Sequence, residues 1–313
     1  MKAAVVYAPG GADALTLAEL PDPGAGEAEV VVAVEAAGVN PVDIGNRSDP
    51  RWSGVPTPYI VGYEFAGHVI EVGLSVTDLR IGDPVWGLLP VRGTQWGANA
   101  EYLAVSREHV ARRPSELDPA EAACLPLAAG TALQVLDRLD LAEGGWLLVH
   151  GAAGGVGHLL VQLAASRGVR VAAVSREVDR DRLTALGAEL WLDRSSATLP
   201  EAAAVAHLGH ELDAVVDLVG GRLVDAQDHV RPGGGLATVV DLNGDFSEAL
   251  DRNLRLHGVL IQPGRDLLES LAREVRAGLR PTIRGCFALD DVALAHERLE
   301  AGGIGGKLVL TLV

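Results

Sequence analysis

Residues 146–157 read WLLVHGAAGGVG, and this stretch decides the fold. The five residues Trp146–His150 form an apolar run typical of a parallel strand that is buried on both faces. A glycine-rich turn follows directly, and apolar residues then recur at helical spacing as far as Gly168, where a helix would end. The stretch therefore predicts a strand, a tight turn and an amphipathic helix.

This arrangement favours a dinucleotide-binding turn. The first backbone amides of the helix point into the turn, and small residues allow a pyrophosphate to approach them closely. The pattern G-x-G-x-x-G is met with Ala152 in its first position, followed by Gly154 and Gly157. The alternative is an ordinary strand-to-helix turn whose glycines serve only packing. The predicted cofactor contacts in the turn are Ala152, Gly154, Gly155, Val156 and Gly157.

Length and composition limit the possible classes of protein. With 313 residues, 48% of them hydrophobic, the chain can form two domains with a sizeable core. No stretch reaches the roughly 18 apolar residues of a membrane helix, and the N-terminus lacks the apolar core of a signal peptide, so we expect a cytoplasmic location without membrane association. The net charge of −16 argues against nucleic acid as a partner. Only two cysteines, Cys124 and Cys286, are present, which argues against a disulfide framework and a cysteine-built zinc site.

The chain changes character twice along its length. Short β-prone runs separated by turn residues fill the first part, and they predict a small barrel or sandwich. Beyond Ser115–Gly130, strands alternate with helices, which favours a parallel sheet of about six strands with helices on both faces. The tail ends with a predicted strand at Lys307–Val313.

The order of these parts resembles the medium-chain dehydrogenase/reductase superfamily, and in particular its zinc-independent quinone oxidoreductase and enoyl reductase branch. The similar segments are GVNPVDIGNR (38–47), VGYEFAGHVIEVG (61–73), GDPVWGL (82–88), AACLPLAAGTAL (122–133), HGAAGGVG (150–157) and GGKLVL (305–310). The resemblance implies an α/β chain with two domains and an active site in the cleft between them. A GroES-like β-barrel catalytic domain would comprise 1–118 and 263–313, and a Rossmann NADPH-binding domain 119–262.

The resemblance also bears on metal binding. In the zinc-dependent relatives, a cysteine and a histidine that bind zinc occupy the positions that correspond to Asn40 and Tyr63 here. Neither residue is a usual zinc ligand, and the cysteine cluster of the structural zinc site is missing. We therefore expect no metal.

The preferred cofactor depends on the residues after the second strand of the Rossmann domain. NAD-specific sites usually have an acidic residue there, about 20 residues beyond the glycines. This chain has Ser175 and Arg176, with Arg180 one turn further, and these donors suit the 2′-phosphate of NADPH. Glu177 leaves the alternative that a carboxylate binds the ribose hydroxyls, as in an NADH site.

Two further cofactor contacts are implied by the resemblance alone. Lys307 matches a position where relatives place a basic residue on the cofactor phosphates, although a lysine at a strand edge is also an ordinary feature. Thr131 lies in a segment that passes the nicotinamide ribose in the family. Its hydroxyl is equally consistent with a bond back to its own helix.

Without a metal, the chemistry that fits is hydride transfer to a quinone or an activated double bond. We predict that the amide of Asn40 donates to the oxygen on which negative charge develops, and that Asp43 braces the loop. Many related enoyl reductases have a tyrosine as proton donor where this chain has Trp52. Tyr63 and Tyr59 are candidate replacements; Tyr63 could instead only fill the former metal cavity, and water could supply the proton.

Aromatic residues indicate a pocket for a flat acceptor. Trp52, Trp86 and Trp96 fall in or next to predicted loops and, with Tyr59, are the predicted pocket residues, although such rings also close small barrels. The sequence thus predicts an NADPH-dependent reductase of quinones or of enone and enoyl compounds. The alternatives are a zinc-independent alcohol dehydrogenase and a non-catalytic nucleotide- or RNA-binding protein of the same fold. The resemblance also implies a homodimer that pairs through Leu256–Ile261.

Overall fold

A computed structural model describes residues 1–52 and 54–312. Ser53 and Val313, the last residue of the predicted final strand, lie outside the described residues. The chain divides into two compact units, one formed by Met1–Gly130 and Gln262–Val313 and the other by Thr131–Ile261. The first division lies twelve residues beyond the predicted 118/119 boundary, inside a helix that starts at Pro126. The second lies one residue before the predicted 262/263 boundary.

The elements are numbered along the chain. The strands are β1 (Lys2–Val6), β2 (Leu15–Glu19), β3 (Glu29–Val39), β4 (Tyr59–Ile60), β5 (Glu64–Val72), β6 (Pro84–Leu88), β7 (Tyr102–Ser106), β8 (Val110–Arg112), β9 (Trp146–His150), β10 (Arg170–Ser175), β11 (Ala188–Asp193), β12 (Leu212–Asp217), β13 (Val230–Thr238), β14 (Arg255–Gly258), β15 (Ile283–Ala288) and β16 (Lys307–Thr311). The helices are α1 (Pro41–Ser48), α2 (Pro119–Ala123), α3 (Pro126–Leu139), α4 (Gly157–Ser166), α5 (Arg180–Ala185), α6 (Pro200–Leu208), α7 (Leu223–Ala226), α8 (Ser247–Asp251), α9 (Arg265–Arg276) and α10 (Val292–Glu300). No helix within the described ranges is long and apolar enough to cross a membrane.

The unit Thr131–Ile261 is a parallel sheet of six strands in the order β11-β10-β9-β12-β13-β14. This is the doubly wound Rossmann order, whose direction of winding reverses between β9 and β12. Every residue of β9 is buried, as its continuous apolar sequence predicts for a central parallel strand. The predicted strand, turn and helix at 146–166 are confirmed, and the turn leaves the carboxyl end of β9 beside the switch point.

The core of this unit lies between the central strands and the helices. Leu148, Val215 and Leu236 belong to neighbouring strands and pack in one cluster with Ala204 of α6 and Ala226 of α7. Burial of these side chains on the sheet face holds the strand ends in fixed relative positions.

The other unit contains a mixed sheet in the order β15-β16-β3-β5-β6-β8, in which β7 also pairs with β3, and a separate sheet in the order β2-β1-β4. Strand β16 returns from the end of the chain to pair antiparallel with β3, with Leu308 opposite Val39. Strand β5 pairs with β3 on its other side, with Phe65 opposite Ala37. This register brings Lys307, Asn40 and Glu64 to one end of β3, so the front and the tail of the chain share one β-rich unit.

Candidate functional site

The glycine-rich turn joins β9 to α4 through two glycines with different structural roles. Gly151 has a φ of 74°, a conformation that suits glycine, and its carbonyl accepts the N–H of Gly154 at 2.9 Å. A Cβ on Gly157, where α4 begins, would lie 2.2 Å from the Gly151 oxygen and 2.7 Å from the Cα of Ala152. Gly157 therefore allows the start of α4 to pack closely on the turn.

Gly154 has a weaker internal reason to be glycine than Gly151 or Gly157. Its φ lies outside the left-handed region, and a Cβ there would meet only the Gly151 oxygen, at 3.3 Å. A small residue in the turn before a helix, at a position whose φ does not require glycine, leaves space for a ligand that approaches the backbone amides. The turn thus fits the pyrophosphate of a dinucleotide.

The hydroxyl of Ser175, predicted to bind the cofactor, is already engaged inside the protein. It donates to the carbonyl oxygen of Arg176 at 3.0 Å and accepts the indole N–H of Trp191 at 2.9 Å, and the residue is buried. The guanidinium of Arg180 lies over the ring of the same Trp191, 5.3 Å from its centre. The structure therefore gives Ser175 and Arg180 partners in the protein where the sequence predicts a phosphate.

Arg182 was not among the predicted residues, yet it reaches the turn. Its Nη2 donates to the carbonyl oxygen of Ala153 at 3.3 Å and to Oδ1 of Asp179 at 2.8 Å. The other oxygen of Asp179 accepts Nη2 of Arg176 at 3.3 Å, so one buried carboxylate pairs with two arginines. The three-residue spacing between Asp179 and Arg182 at the start of a helix is the sequence signal that could have indicated this pair.

A second cluster is buried in the other unit, where β3 ends. The ammonium of Lys307 contacts Oε1 of Glu64 at 2.6 Å and also Oδ1 of Asn40. Asn40 Nδ2 donates to the same Oε1 at 2.9 Å, and the N–H of Leu127 donates to Oε2 at 2.8 Å. The structure gives Lys307 a protein carboxylate instead of the predicted phosphate, and gives the Asn40 amide the same partner instead of the predicted substrate oxygen, because strand register brings all three side chains together.

Asp43, Asn46 and Tyr63 form the adjoining part of this cluster. Asp43 accepts the backbone N–H of Asn40 at 2.6 Å, as predicted for a residue that braces the loop, and burial raises its pKa to about 7. Asn46 Nδ2 donates to the Tyr63 hydroxyl at 2.5 Å and to the carbonyl oxygen of Val91 at 3.2 Å. Since that carbonyl can only accept, it fixes the orientation of the Asn46 amide. Burial, and then the charge of Asp43, raise the pKa of Tyr63 above its usual value, so the phenol keeps its proton.

Two buried oxygens beside this phenol lack partners. Oδ1 of Asp43 and Oδ1 of Asn46 have no hydrogen bond within the described ranges. The structure also shows no group of three or more histidine, cysteine or acidic side chains arranged to hold a metal ion in the part of the chain that it describes. Burial raises the pKa of Cys124 above its usual value, so this thiol is held in its neutral form.

The predicted pocket aromatics divide into buried and exposed residues. Trp86 lies in the middle of β6 and is completely buried, so its ring presents no surface in this structure, and the Tyr63 ring is buried to a similar degree. Tyr59 is buried too, and its hydroxyl donates to the carbonyl oxygen of Asn46 at 2.8 Å. Trp52 and Trp96 are about half exposed, and the Arg92 guanidinium lies 4.5 Å from the centre of the Trp52 ring.

Among the remaining predicted cofactor residues, Thr131 is buried within α3, and Ala152 is buried in the turn. Val156 precedes the first residue of α4. Gly155 lies beside Gly154 in the turn and is partly exposed. Arg176 is partly exposed and pairs with Asp179.

Comparison with known proteins adds the family context. Residues 26–115 match the alcohol dehydrogenase GroES-like domain family, and residues 186–310 match the zinc-binding dehydrogenase family. The chain is 34% identical over 294 residues to a 2-methylene-furan-3-one reductase from Solanum lycopersicum, covering 91% of this chain and 72% of that protein. It is 33% identical over 321 residues to a chloroplastic NADPH-dependent alkenal/one oxidoreductase from Arabidopsis thaliana, covering 99% of this chain and 79% of that protein.

A solved structure supports the same likeness over the complete fold. The quinone oxidoreductase from Coxiella burnetii superposes with a TM-score of 0.88 at 31% sequence identity, and the match covers 100% of this chain and 99% of that one. The first family match lies within the β-rich unit, and the second runs from the doubly wound unit into the returning strands β15 and β16.

Proposed function

Because the chain belongs to the medium-chain dehydrogenase/reductase superfamily, in its quinone oxidoreductase and enone reductase branch, we propose that it is an NADPH-dependent reductase of quinones or α,β-unsaturated carbonyl compounds. The observation that carries the proposal is the turn at Gly154, where the backbone conformation does not require glycine and an added Cβ would closely approach only one protein atom, the Gly151 oxygen. The names of the relatives, an alkenal/one oxidoreductase and a quinone oxidoreductase, support the acceptor class.

When bound, NADPH supplies the hydride. We propose that the backbone of Gly154, Gly155, Val156 and Gly157 holds its pyrophosphate, with Ala152 keeping the turn closely packed. Arg176 contributes positive charge at the end of β10. Thr131 remains a proposed contact of the nicotinamide ribose.

Tyr63 is the proposed donor to the acceptor. Because its hydroxyl oxygen accepts the amide hydrogen of Asn46, its own hydrogen is available for a different partner. Burial raises the pKa of this phenol, so it stays protonated and can donate a hydrogen bond to an oxygen on which negative charge develops. Transfer of this proton would leave a phenolate that must be reprotonated before the next turnover.

Asn40 then acts as a positioning residue. Its amide links Glu64 to Lys307, and its backbone N–H binds Asp43, so it fixes both parts of the cluster. The Lys307 ammonium offsets the charge of Glu64 beside this donor, which limits the number of negative charges near the phenol. We propose that a flat acceptor contacts the rings of Trp52 and Trp96. Both rings are partly exposed, and aromatic rings stack well on flat molecules.

We propose a homodimer that pairs through β14. This strand forms one edge of the six-stranded sheet, with β13 as its only neighbour among the described residues, and Leu256 on it is partly exposed. An unpaired strand edge with an apolar side chain is a template for a second copy. Light scattering on the wild type and on Leu256→Lys tests this: we expect a dimer that the lysine weakens, and a monomeric wild type would contradict it.

The reductase assay uses the purified protein with NADPH or NADH and a panel of quinones, enones and enoyl thioesters, and follows the loss of absorbance of the reduced cofactor. We expect consumption of NADPH with at least one acceptor class. Oxidation of simple alcohols with NADP+, without reduction of any acceptor, would favour the alcohol dehydrogenase alternative. Cofactor binding without turnover would favour a non-catalytic protein.

A further inference from the structure

The carbonyl group of Gly154 accepts two hydrogen bonds from one residue of the following helix. His158, the second residue of α4, donates its backbone N–H to this oxygen at 3.1 Å, and its ring nitrogen Nδ1 lies 2.8 Å from the same oxygen. Because a carbonyl oxygen only accepts, Nδ1 carries a hydrogen and donates it. The imidazole thus adds a second bond to the helical one, and both lone pairs of the Gly154 oxygen are used.

The imidazole of His158 is shielded from water, whereas the turn that it contacts is not. His158 is completely buried, while Gly154, Gly155 and Val156 are partly exposed. Water therefore does not compete for the hydrogen on Nδ1, and the bond to the turn is stronger than it would be on the surface. A buried ring that spends its hydrogen on the backbone of an exposed turn is placed to fix the shape of that turn.

The direction of the Gly154 carbonyl sets the direction of the next N–H group. The peptide bond between Gly154 and Gly155 is trans and planar, so its C=O and its N–H point in opposite directions. The carbonyl points along α4 towards His158, as a helical hydrogen bond requires. The N–H of Gly155 must then point away from the start of the helix.

Two N–H groups of the turn have no internal partner. Neither the N–H of Gly155 nor that of Val156 donates to another residue in the part of the chain that the structure describes. Both groups lie directly before the first residue of α4. Donors that point out of the start of a helix attract an anion, because the helix dipole adds to their own partial charge. The side chain of His158 therefore orients one of the two donors that a phosphate could use.

We propose that His158 is a positioning residue for the cofactor: its imidazole fixes the peptide between Gly154 and Gly155 so that the N–H of Gly155 donates to the pyrophosphate. This inference rests on the proposed function, because it assumes a nicotinamide dinucleotide on the turn. Glycines let the ligand approach, but they also lose more conformational freedom on ordering than other residues do. A buried bond that holds this peptide before the ligand arrives reduces the ordering cost of binding.

The test compares a ligand that has the pyrophosphate with one that lacks it. The ligands are NADP+ and 2′-AMP, which keeps the adenine, the ribose and the 2′-phosphate; if the wild type prefers NAD+, then NAD+ and adenosine replace them. His158→Phe removes the donor and keeps a planar ring, and His158→Asn restores an N–H near the position of Nδ1. The control is Ser166→Ala, because the Ser166 hydroxyl also donates to a carbonyl of α4, that of Leu163 at 2.9 Å, at the opposite end of the helix.

Calorimetry measures the affinities without any turnover. We expect His158→Phe to bind NADP+ about fivefold or more weakly than the wild type and to bind 2′-AMP with nearly unchanged affinity. His158→Asn should recover most of this loss, and Ser166→Ala should bind both ligands as the wild type does. In amide NMR spectra of the wild type, the proton of the Gly155 N–H should shift downfield on addition of NADP+, and this shift should be smaller in His158→Phe.

Several results would overturn the inference. Unchanged binding of NADP+ in His158→Phe would mean that the turn keeps its shape without the imidazole. Equal losses for NADP+ and 2′-AMP, or a loss that His158→Asn does not recover, would mean that His158 only fills space in the unit. If the variants do not fold, the wild type decides: an unshifted Gly155 amide at saturating NADP+ would mean that this peptide does not donate to the ligand. Failure of the proposed function is distinct, since the wild type would then bind neither NADP+ nor NAD+.

Discussion

The ammonium nitrogen of Lys307 lies 2.6 Å from Oε1 of Glu64, and the two side chains are 3% and 0% exposed. Both charges are thus removed from water, and each depends on the other for compensation. The carboxylate is further bonded by Asn40 and by the backbone of Leu127, so it has partners on both oxygens. This ion pair joins the last strand of the chain to the first part of the β-rich unit.

Removal of one partner should destabilise the protein strongly. We expect Lys307→Met to lower the free energy of unfolding by about 3–5 kcal/mol, because it leaves the buried charge of Glu64 uncompensated. The double variant Lys307→Met with Glu64→Gln should recover much of this loss. Urea unfolding of the wild type, both single variants and the double variant gives the coupling energy, and additive effects of the two substitutions would contradict the pairing.

Asp43 should make the folded state less stable as the pH rises. Burial raises its pKa from 3.8 to about 7, against the opposing effects of the backbone N–H of Asn40 and the charge of Lys307, while the charge of Glu64 raises it further. A raised pKa means that the folded state binds the proton more tightly, so this contribution to stability is complete below about pH 4 and is lost as the pH rises through about 7. At about 1.4 kcal/mol per pKa unit, the difference corresponds to roughly 4 kcal/mol.

The measurement compares the wild type with Asp43→Asn, whose amide does not titrate in this range. The free energy of unfolding of the wild type should fall relative to that of Asp43→Asn between about pH 4 and pH 7. A difference that stays constant over this range would contradict the assignment.

His296 should have the opposite effect. Nη1 of Arg47 donates to its Nδ1 at 3.2 Å, and burial together with the charge of Arg47 lowers the pKa of His296 to about 4. Since the unfolded chain takes up this proton near pH 6.5, stability is lost as the pH falls from about 6.5 towards 4. We expect the free energy of unfolding of His296→Gln to fall less than that of the wild type over this pH range. Urea titration at each pH measures both. Parallel curves for the variant and the wild type would disprove this role.

Gly154 and Gly157 provide a matched pair of substitutions in one turn. Gly154→Ala places a Cβ 3.3 Å from the nearest protein atom, so the protein should remain folded while its affinity for NADPH falls by about tenfold or more. Gly157→Ala places a Cβ 2.2 Å from a carbonyl oxygen, and we expect it to destabilise the fold by about 1–3 kcal/mol. Cofactor titration and thermal unfolding of both variants test this division, and equal stability losses would contradict it.

Tyr63→Phe removes the proposed proton donor without changing the size of the ring appreciably. We expect kcat for an enone to fall by about a hundredfold or more with little change in cofactor affinity, because only the donated hydrogen is lost. Tyr102→Phe, on strand β7 of the same unit, is the control and should keep the activity of the wild type. An unaltered kcat in Tyr63→Phe would assign proton delivery to water or to another group.

Much of the fold could be predicted because its signals are local. The apolar run at Trp146–His150, the glycines after it and the helical spacing beyond lie within one stretch of sequence, and the strand, turn and helix follow from them. The β-rich front and the parallel sheet were predicted in the same way. Boundaries are less accurate: the predicted strand Leu256–Ile261 is Arg255–Gly258, and beyond it the N–H of Val259 still donates to the carbonyl oxygen of Thr238, the last residue of β13, at 2.8 Å.

Only part of each candidate site can be predicted, because the periodicity of a sequence does not show which side chains contact each other in the fold. Trp86 lies in a run that alternates like any strand, and only the sheet shows that its ring is completely buried. The position of Ser175 after the second strand predicts a phosphate contact, and only the structure shows that its hydroxyl also accepts the indole N–H of Trp191, sixteen residues later.

The sequence by itself determined the residue types of the site: a turn of small residues, an arginine-rich segment after the second strand, and an asparagine and a tyrosine at the positions of two lost metal ligands. Only the tertiary structure decided which charges meet. Lys307 and Glu64 are 243 residues apart, and they pair because β16 and β5 flank the same long strand, β3. Local sequence sets local conformation, whereas a buried charge is compensated by whichever group the strand register brings beside it.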